Sequence, residues 1–188
     1  MINIYEKCAV LENDSFILRL VEEKDAKDLL DVYSDKNALP FFNSDNCNGD
    51  NFYYPTEARM LEAIKFWLRE YDEKSFVRFS IIDKKNNKAM GTIELFRRKS
   101  TDYFNDYGIM RLDVKSNYEN YTSLCEIMSI ILDSAYELFE CSMIATKAAI
   151  YAVERGVVLE NMGFQKTKEY LVGQHDKRIY GDYWITKN

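Results

Sequence analysis

The chain has 188 residues, 47% apolar and 30% charged, with a formal net charge of -6. That length and balance fit one globular domain over 1–188 with a single core, and the acidic surplus argues against nucleic acid or an anionic membrane as partner, since both need a basic field. Four scattered cysteines (Cys8, Cys47, Cys125, Cys141) and a single histidine, His175, lack the spacing of a zinc site.

The opening MINIYEKCAV has no basic region leading into an apolar one, so no secretory signal is expected. No apolar run approaches the ~18 residues of a membrane span, and a cytoplasmic location is the expectation. Residues 16–20 (FILRL) read as a first strand, and 21–34 as a helix with Ala26, Leu29, Leu30 and Tyr33 along one stripe. The polar loop 35–55 carries Phe41, Phe42, Phe52, Tyr53 and Tyr54. A loop this long in a compact domain is either functional or partly disordered, and its aromatics either line a pocket or plug the edge of the core.

Helix returns over 56–71, with Met60, Ile64, Trp67, Leu68 and Tyr71 inward and Thr56 as N-cap. Segments 75–83 and 89–96 form an antiparallel hairpin around the polar turn 84–88. The strand over 107–115 places Gly108, Met110, Leu112 and Val114 on one face, and Tyr107, Ile109, Arg111, Asp113 and Lys115 on the other. It feeds a helix in which Leu124, Ile127, Met128, Ile131, Ala135, Leu138 and Phe139 recur at helical spacing. A strand over 142–150, a helix over 154–162 ending at Gly163, and strands over 164–172 and 178–186 complete the chain. Cys125 and Cys141, in apolar surroundings, are expected to be buried thiols. The sum is an α/β (α+β) domain with a mixed sheet of seven strands layered with helices.

The junction between 107–115 and the following helix is the chemically suggestive stretch. A strand that turns directly into a helix leaves the helix's first N–H groups free at the turn, and these together with the helix dipole attract anions such as phosphate.

The order of elements, with FILRLVEEKDAKDL, SFVRFSIIDKKNNKAMGTIELF and VVLENMGFQKT at their places, resembles the GNAT family of acetyl-CoA-dependent N-acyltransferases, most of all the subgroup that acetylates ribosomal-protein N-termini. The resemblance covers nearly everything from Phe16 onward. It implies a mainly antiparallel, twisted sheet with helices on both faces. It also implies that acetyl-CoA lies in a wedge where two central strands diverge, beside Leu112 and Val114. Its pyrophosphate would then meet a Q/R-x-x-G-x-G/A turn. Glycines suit that turn because they let backbone approach the phosphates without a Cβ in the way. Here the equivalent positions are Glu119, Asn120, Tyr121, Thr122, Ser123 and Leu124. Glu119 would repel a pyrophosphate or cap the helix N-terminus.

The family's Asn and Ser before the last helix are replaced by Ala152 and Arg155, and a tyrosine used by some members as general acid is replaced by Leu159. Tyr151 is the phenol nearest in sequence, either as that acid or as a packing residue. The amine's proton needs a base. Glu94 is the first candidate, with a raised pKa expected among Met90, Thr92 and Phe96, or else a strand acid paired with Arg97, Arg98 or Arg111; Asp113 is the second. The backbone N–H of Val114 or a neighbour, on a strand that the family bulges, would meet the oxyanion. Two main functions follow. One is an N-acetyltransferase acting on a protein N-terminus or a small amine, as monomer or homodimer. The other is a GNAT-fold protein without catalysis that binds a ligand or partner. An unrelated α/β binding domain is the third reading.

Overall fold

The computed structural model describes residues 3–187. Strand β1 (Leu11–Glu12) leads into β2 (Phe16–Leu20), then helices α1 (Ala26–Tyr33) and α2 (Glu57–Asp72). The hairpin β3 (Val77–Asp83) and β4 (Lys88–Arg97) precedes β5 (Gly108–Val114), α3 (Tyr121–Leu138), β6 (Met143–Lys147) and α4 (Val153–Asn161). The chain closes with β7 (Gln165–Lys166), β8 (Leu171–Val172), β9 (Ile179–Tyr180) and β10 (Tyr183–Lys187). The sheet runs β1-β2-β3-β4-β5-β6-β10-β7, with β8 and β9 as a separate hairpin. Every pairing in it is antiparallel except β5 with β6.

Period-two patterning decides which face each helix covers. Met110, Leu112 and Val114 join Leu124, Ile127 and Ile131 of α3 and Val158 and Leu159 of α4 in one buried cluster. On the opposite face Leu29 and Tyr33 of α1 pack with Met60, Ile64 and Trp67 of α2. Burial of each such side chain contributes roughly 1.5–3 kcal/mol, so the apolar stripes fix the layering. The two faces and their helices match the α/β architecture read from the sequence.

The differences are local. The sheet has eight strands rather than seven because the two-residue β1 and β7 attach at its edges. Segment 164–172, expected as one strand, splits into β7 and β8. The helix expected from 21 begins at Ala26, after a single tight turn at Glu23–Asp25. In loop 35–55 Phe52 and Tyr54 are buried against Tyr33, whose ring stacks on Tyr54 at 5.3 Å, so these two aromatics plug the core edge. Cys141 is buried but Cys125 only half so, and all four thiols are free.

Candidate functional site

The pairing of β5 with β6 is short. Gly108, Ile109 and Met110 face Ile144, Ala145 and Thr146, and no pair follows. β5 nonetheless continues to Val114, hydrogen-bonded on its other side to β4 as far as Gly91. Along a strand, backbone groups point alternately to left and right. The carbonyl of Tyr107 and the N–H of Lys115 both bond to the β4 side, to Arg98 N and Met90 O. The even-numbered residues therefore direct their amides toward β6, and for Leu112 and Val114 that side is the widening gap. The two central strands diverge as the family resemblance implied. β5 carries no bulge, however; the register shift lies between β3 and β4, at Ile81/Ile82 opposite Met90. Gly91 lets β4 press against the end of β5: a Cβ there would lie 2.4 Å from the Asp113 carbonyl oxygen.

Helix α3 opens at the mouth of this gap, and two of its first three N–H groups, those of Tyr121 and Ser123, already have side-chain partners. Asn120 is the N-cap, its side-chain oxygen accepting from Ser123 N at 3.1 Å. The Glu154 carboxylate of α4 accepts from Tyr121 N at 2.9 Å. Glu119, expected as a possible cap, instead grips Arg155 through both oxygens, with Arg155 Nη2 to Oε2 at 2.9 Å. Asn161 donates to the Tyr121 hydroxyl at 2.9 Å. Leu124 is fully buried, whereas Tyr121 is 42% exposed. Three polar contacts thus tie the start of α3 to α4, and Thr122 stays exposed between them.

Behind the gap, on the α1/α2 face, lies a buried charge cluster. Arg78 donates to Tyr33 Oη (3.0 Å), Thr92 Oγ1 (3.1 Å), Asp113 Oδ2 (3.2 Å) and, closest of all, Glu94 Oε2. Its guanidinium lies 4.2 Å from the centre of the Trp67 ring. Arg111 adds a second cation, 3.0 Å from Glu94 Oε1. Burial alone would raise the Glu94 pKa, but Arg78 and Arg111 outweigh it and hold the carboxyl below its ordinary value. The raised pKa expected for Glu94 is therefore not found, and the alternative expectation, a strand acid paired with Arg111, is what the structure has. Asp113 has it instead: burial outweighs the pull of Arg78 and pushes that carboxyl up. Its Oδ2 accepts from Tyr33 Oη at 2.9 Å, while its buried Oδ1 has no partner among the described residues.

Loop 35–55 closes this face. Asp45 reaches both diverging strands just past their last pair. Its carbonyl accepts from Arg111 Nη2 at 2.8 Å, and its carboxylate oxygens accept from Lys147 Nζ at 2.8 and 2.9 Å. Tyr151 is 58% exposed and far from a free acid, because its hydroxyl donates to Pro40 O at 2.6 Å. Sequence reasoning missed Arg78, Tyr33, Asp45, Lys147 and Glu154. Of these, only Arg78 was within reach, since a hairpin centred on 84–88 pairs it with Glu94.

The sequence matches no protein-family model and no curated protein. The fold does match: it is that of GNAT-family acetyltransferases. A GNAT-family acetyltransferase from Bacillus anthracis is similar at a TM-score of 0.67 and 13% identity, covering 95% of this chain and 98% of that one. The ribosomal-protein-S5-alanine acetyltransferase of Vibrio fischeri is similar at 0.68 and 16%, covering 96% of each chain. Mycobacterium smegmatis RimJ, solved with a CoA disulfide, is similar at 0.70 and 13%, covering 95% of this chain and 86% of that one.

Backbone amides at Leu112 and Val114 suit a pantetheine arm, which is an extended chain of amides. At the helix start Tyr121 N is held by Glu154 and Arg155 by Glu119, so a diphosphate would have to displace Glu154 to reach that helix N-terminal donor. Among the described residues no helix is long and apolar enough to cross a membrane, and no group of side chains has the makings of a metal site.

Proposed function

We propose that the chain is an acetyl-CoA-dependent N-acetyltransferase that acylates a primary amine, a protein N-terminus or a small cationic amine. The observation that carries this reading is the early end of the β5–β6 pairing at Met110↔Thr146, with the Leu112 and Val114 amides turned into the gap. When bound, acetyl-CoA supplies an activated acyl group. Leu112 and Val114 hold its arm through backbone, and the Leu112 N–H, the free amide nearest the last β5–β6 pair, is the donor to charge developing on the acyl oxygen. Asn120, Tyr121, Thr122, Ser123 and Leu124 form the helix start that faces its phosphates, and Arg155 supplies the positive charge. Asp113 is the better base of the two carboxylates: its unpartnered oxygen can take the amine's proton, whereas both oxygens of Glu94 are held by arginines. Glu94 positions Arg78 and Arg111. Tyr151 holds loop 35–55. Acidic net charge favours a cationic acceptor.

Thiol release from acetyl-CoA with a panel of amines and N-terminal peptides tests the reading. Turnover on at least one acceptor supports it, and release at the level of buffer alone on all of them rejects it.

A second reading has its own observation. The Glu119–Arg155 pair and the Glu154 cap place two carboxylates where a diphosphate would sit, as in a GNAT-fold protein that binds a partner without catalysis. A folded protein with no calorimetric heat on adding coenzyme A would favour it.

A further inference from the structure

Lys147 occupies a singular position. It is the first residue of β6 past the last pair with β5, so it stands at the apex of the gap. By strand alternation it shares the face of Met143 and Ala145, as Arg111 and Asp113 share the corresponding face of β5. Its side chain is only 24% exposed, and its ammonium is chelated by both oxygens of the buried Asp45 carboxylate. The Tyr183 hydroxyl donates to the same carboxylate at 3.2 Å. A primary amine is thus already fixed, with a proton acceptor in contact, at the end of the gap where the Leu112 amide is the first left free by β6. The cluster also retains unused capacity: Asn43 Nδ2 and Arg111 Nε are buried without partners among the described residues.

We propose that Lys147 is an internal acyl acceptor, so that the protein acetylates its own Lys147 from acetyl-CoA. Nζ gives one proton to the Asp45 carboxylate and attacks the thioester carbonyl carbon. The new C–N bond forms, the C–S bond breaks, and the departing coenzyme A thiolate is protonated from the amide nitrogen's remaining surplus proton through solvent. The product is a neutral N-acetyl-lysine beside a protonated Asp45, which later returns its proton to water. This removes the charge that holds Asp45, and with it one of the ties between loop 35–55 and β6.

The inference rests on the proposed function, and two readouts separate the failures. First, the full chain is incubated with acetyl-CoA and each lysine's acetylation is mapped by peptide mass. Lys147 is expected to exceed the exposed Lys168 by about tenfold or more, the gain that fixed proximity gives, and Asp45→Asn is expected to remove that excess. Second, labelling by an amine-reactive acetyl ester without acetyl-CoA reports access to Lys147, and added coenzyme A is expected to protect it more than Lys168. Lys147 acetylated no faster than Lys168, while external amines turn over, overturns this inference and leaves the transferase standing. Neither acetylation nor turnover nor protection overturns both.

Discussion

Glu119 and Arg155, 36 residues apart, form a two-pronged ion pair in which each side chain is only 6% exposed. It joins the start of α3 to α4 at the mouth of the gap between β5 and β6. Breaking a buried pair by removing one partner strands a charge, which costs roughly 3–5 kcal/mol. Glu119→Gln should therefore lower stability by about 3 kcal/mol in urea unfolding, the amide keeping part of the hydrogen bonding. It should at the same time tighten coenzyme A binding, because Arg155 is released and a carboxylate is gone. Unchanged stability and weaker binding together would show that the pair does not guard the site.

Arg78 holds two carboxylates, Glu94 and Asp113, at once. Arg78→Met should cost at least ~3 kcal/mol, since both acids then lie buried without their cation. The double variant Arg78→Met/Glu94→Gln should recover part of that loss. A double-mutant cycle with no coupling would contradict the network.

Gly91 lies where β4 meets the end of β5. Gly91→Ala should destabilise by about 1–3 kcal/mol, because the added methyl meets the Asp113 carbonyl oxygen and cannot be relieved by a rotamer change. Calorimetric melting of the variant checks this, and a melting temperature equal to that of the parent would argue against the close approach.

Stability should also depend on pH with a definite sign. Glu94 and Asp25 both have carboxyls held below the ordinary range; for each, burial pushes upward and is outweighed, by Arg78 and Arg111 for Glu94 and by Arg19 and Ser80 for Asp25. Their contribution is complete above the unfolded-state value and lost as pH falls through the folded one, so urea midpoints should drop below about pH 4. Asp113, raised by burial, acts in the opposite sense: its ionisation weighs on the folded state as pH rises past the unfolded-state value. Asp113→Asn should remove that second dependence. A profile of the Asp113→Asn variant that is flat from pH 3 to 5 would contradict the assignment of the network.

Tyr151 donates its hydroxyl to Pro40 O, and its ring meets Phe41 at 6.0 Å. Loss of a general acid costs about a hundredfold or more in rate. Tyr151→Phe should stay well inside that limit if the phenol only holds the loop, as kcat on any working acceptor will show. A loss of that size would restore Tyr151 as the acid.

What the sequence reveals is whatever has a local period. The alternation from Tyr107 to Lys115 states the faces of β5 correctly, and the spacing of Leu124, Ile127 and Ile131 states the buried side of α3. The C-terminal strands were harder, because 167–170 pairs with nothing that its own residues announce. The charge on Glu94 was legible only in part: Arg111 stood among the expected partners, whereas Arg78 did not. Its pKa is set by Arg78 and Arg111, cross-strand neighbours on either side, and only the register of three strands brings them together. Asp45 and Lys147 are 102 residues apart, and nothing local to either points to the other.

The central claim is that the amides of Leu112 and Val114 face a gap made for a pantetheine arm. Hydrogen exchange of the 111–114 segment, followed with and without acetyl-CoA, tests it most directly. The account predicts that these amides exchange more slowly when acetyl-CoA is present, while those of Gly108 and Met110, already paired to β6, do not change. Exchange at Leu112 and Val114 that is indifferent to saturating acetyl-CoA would contradict it.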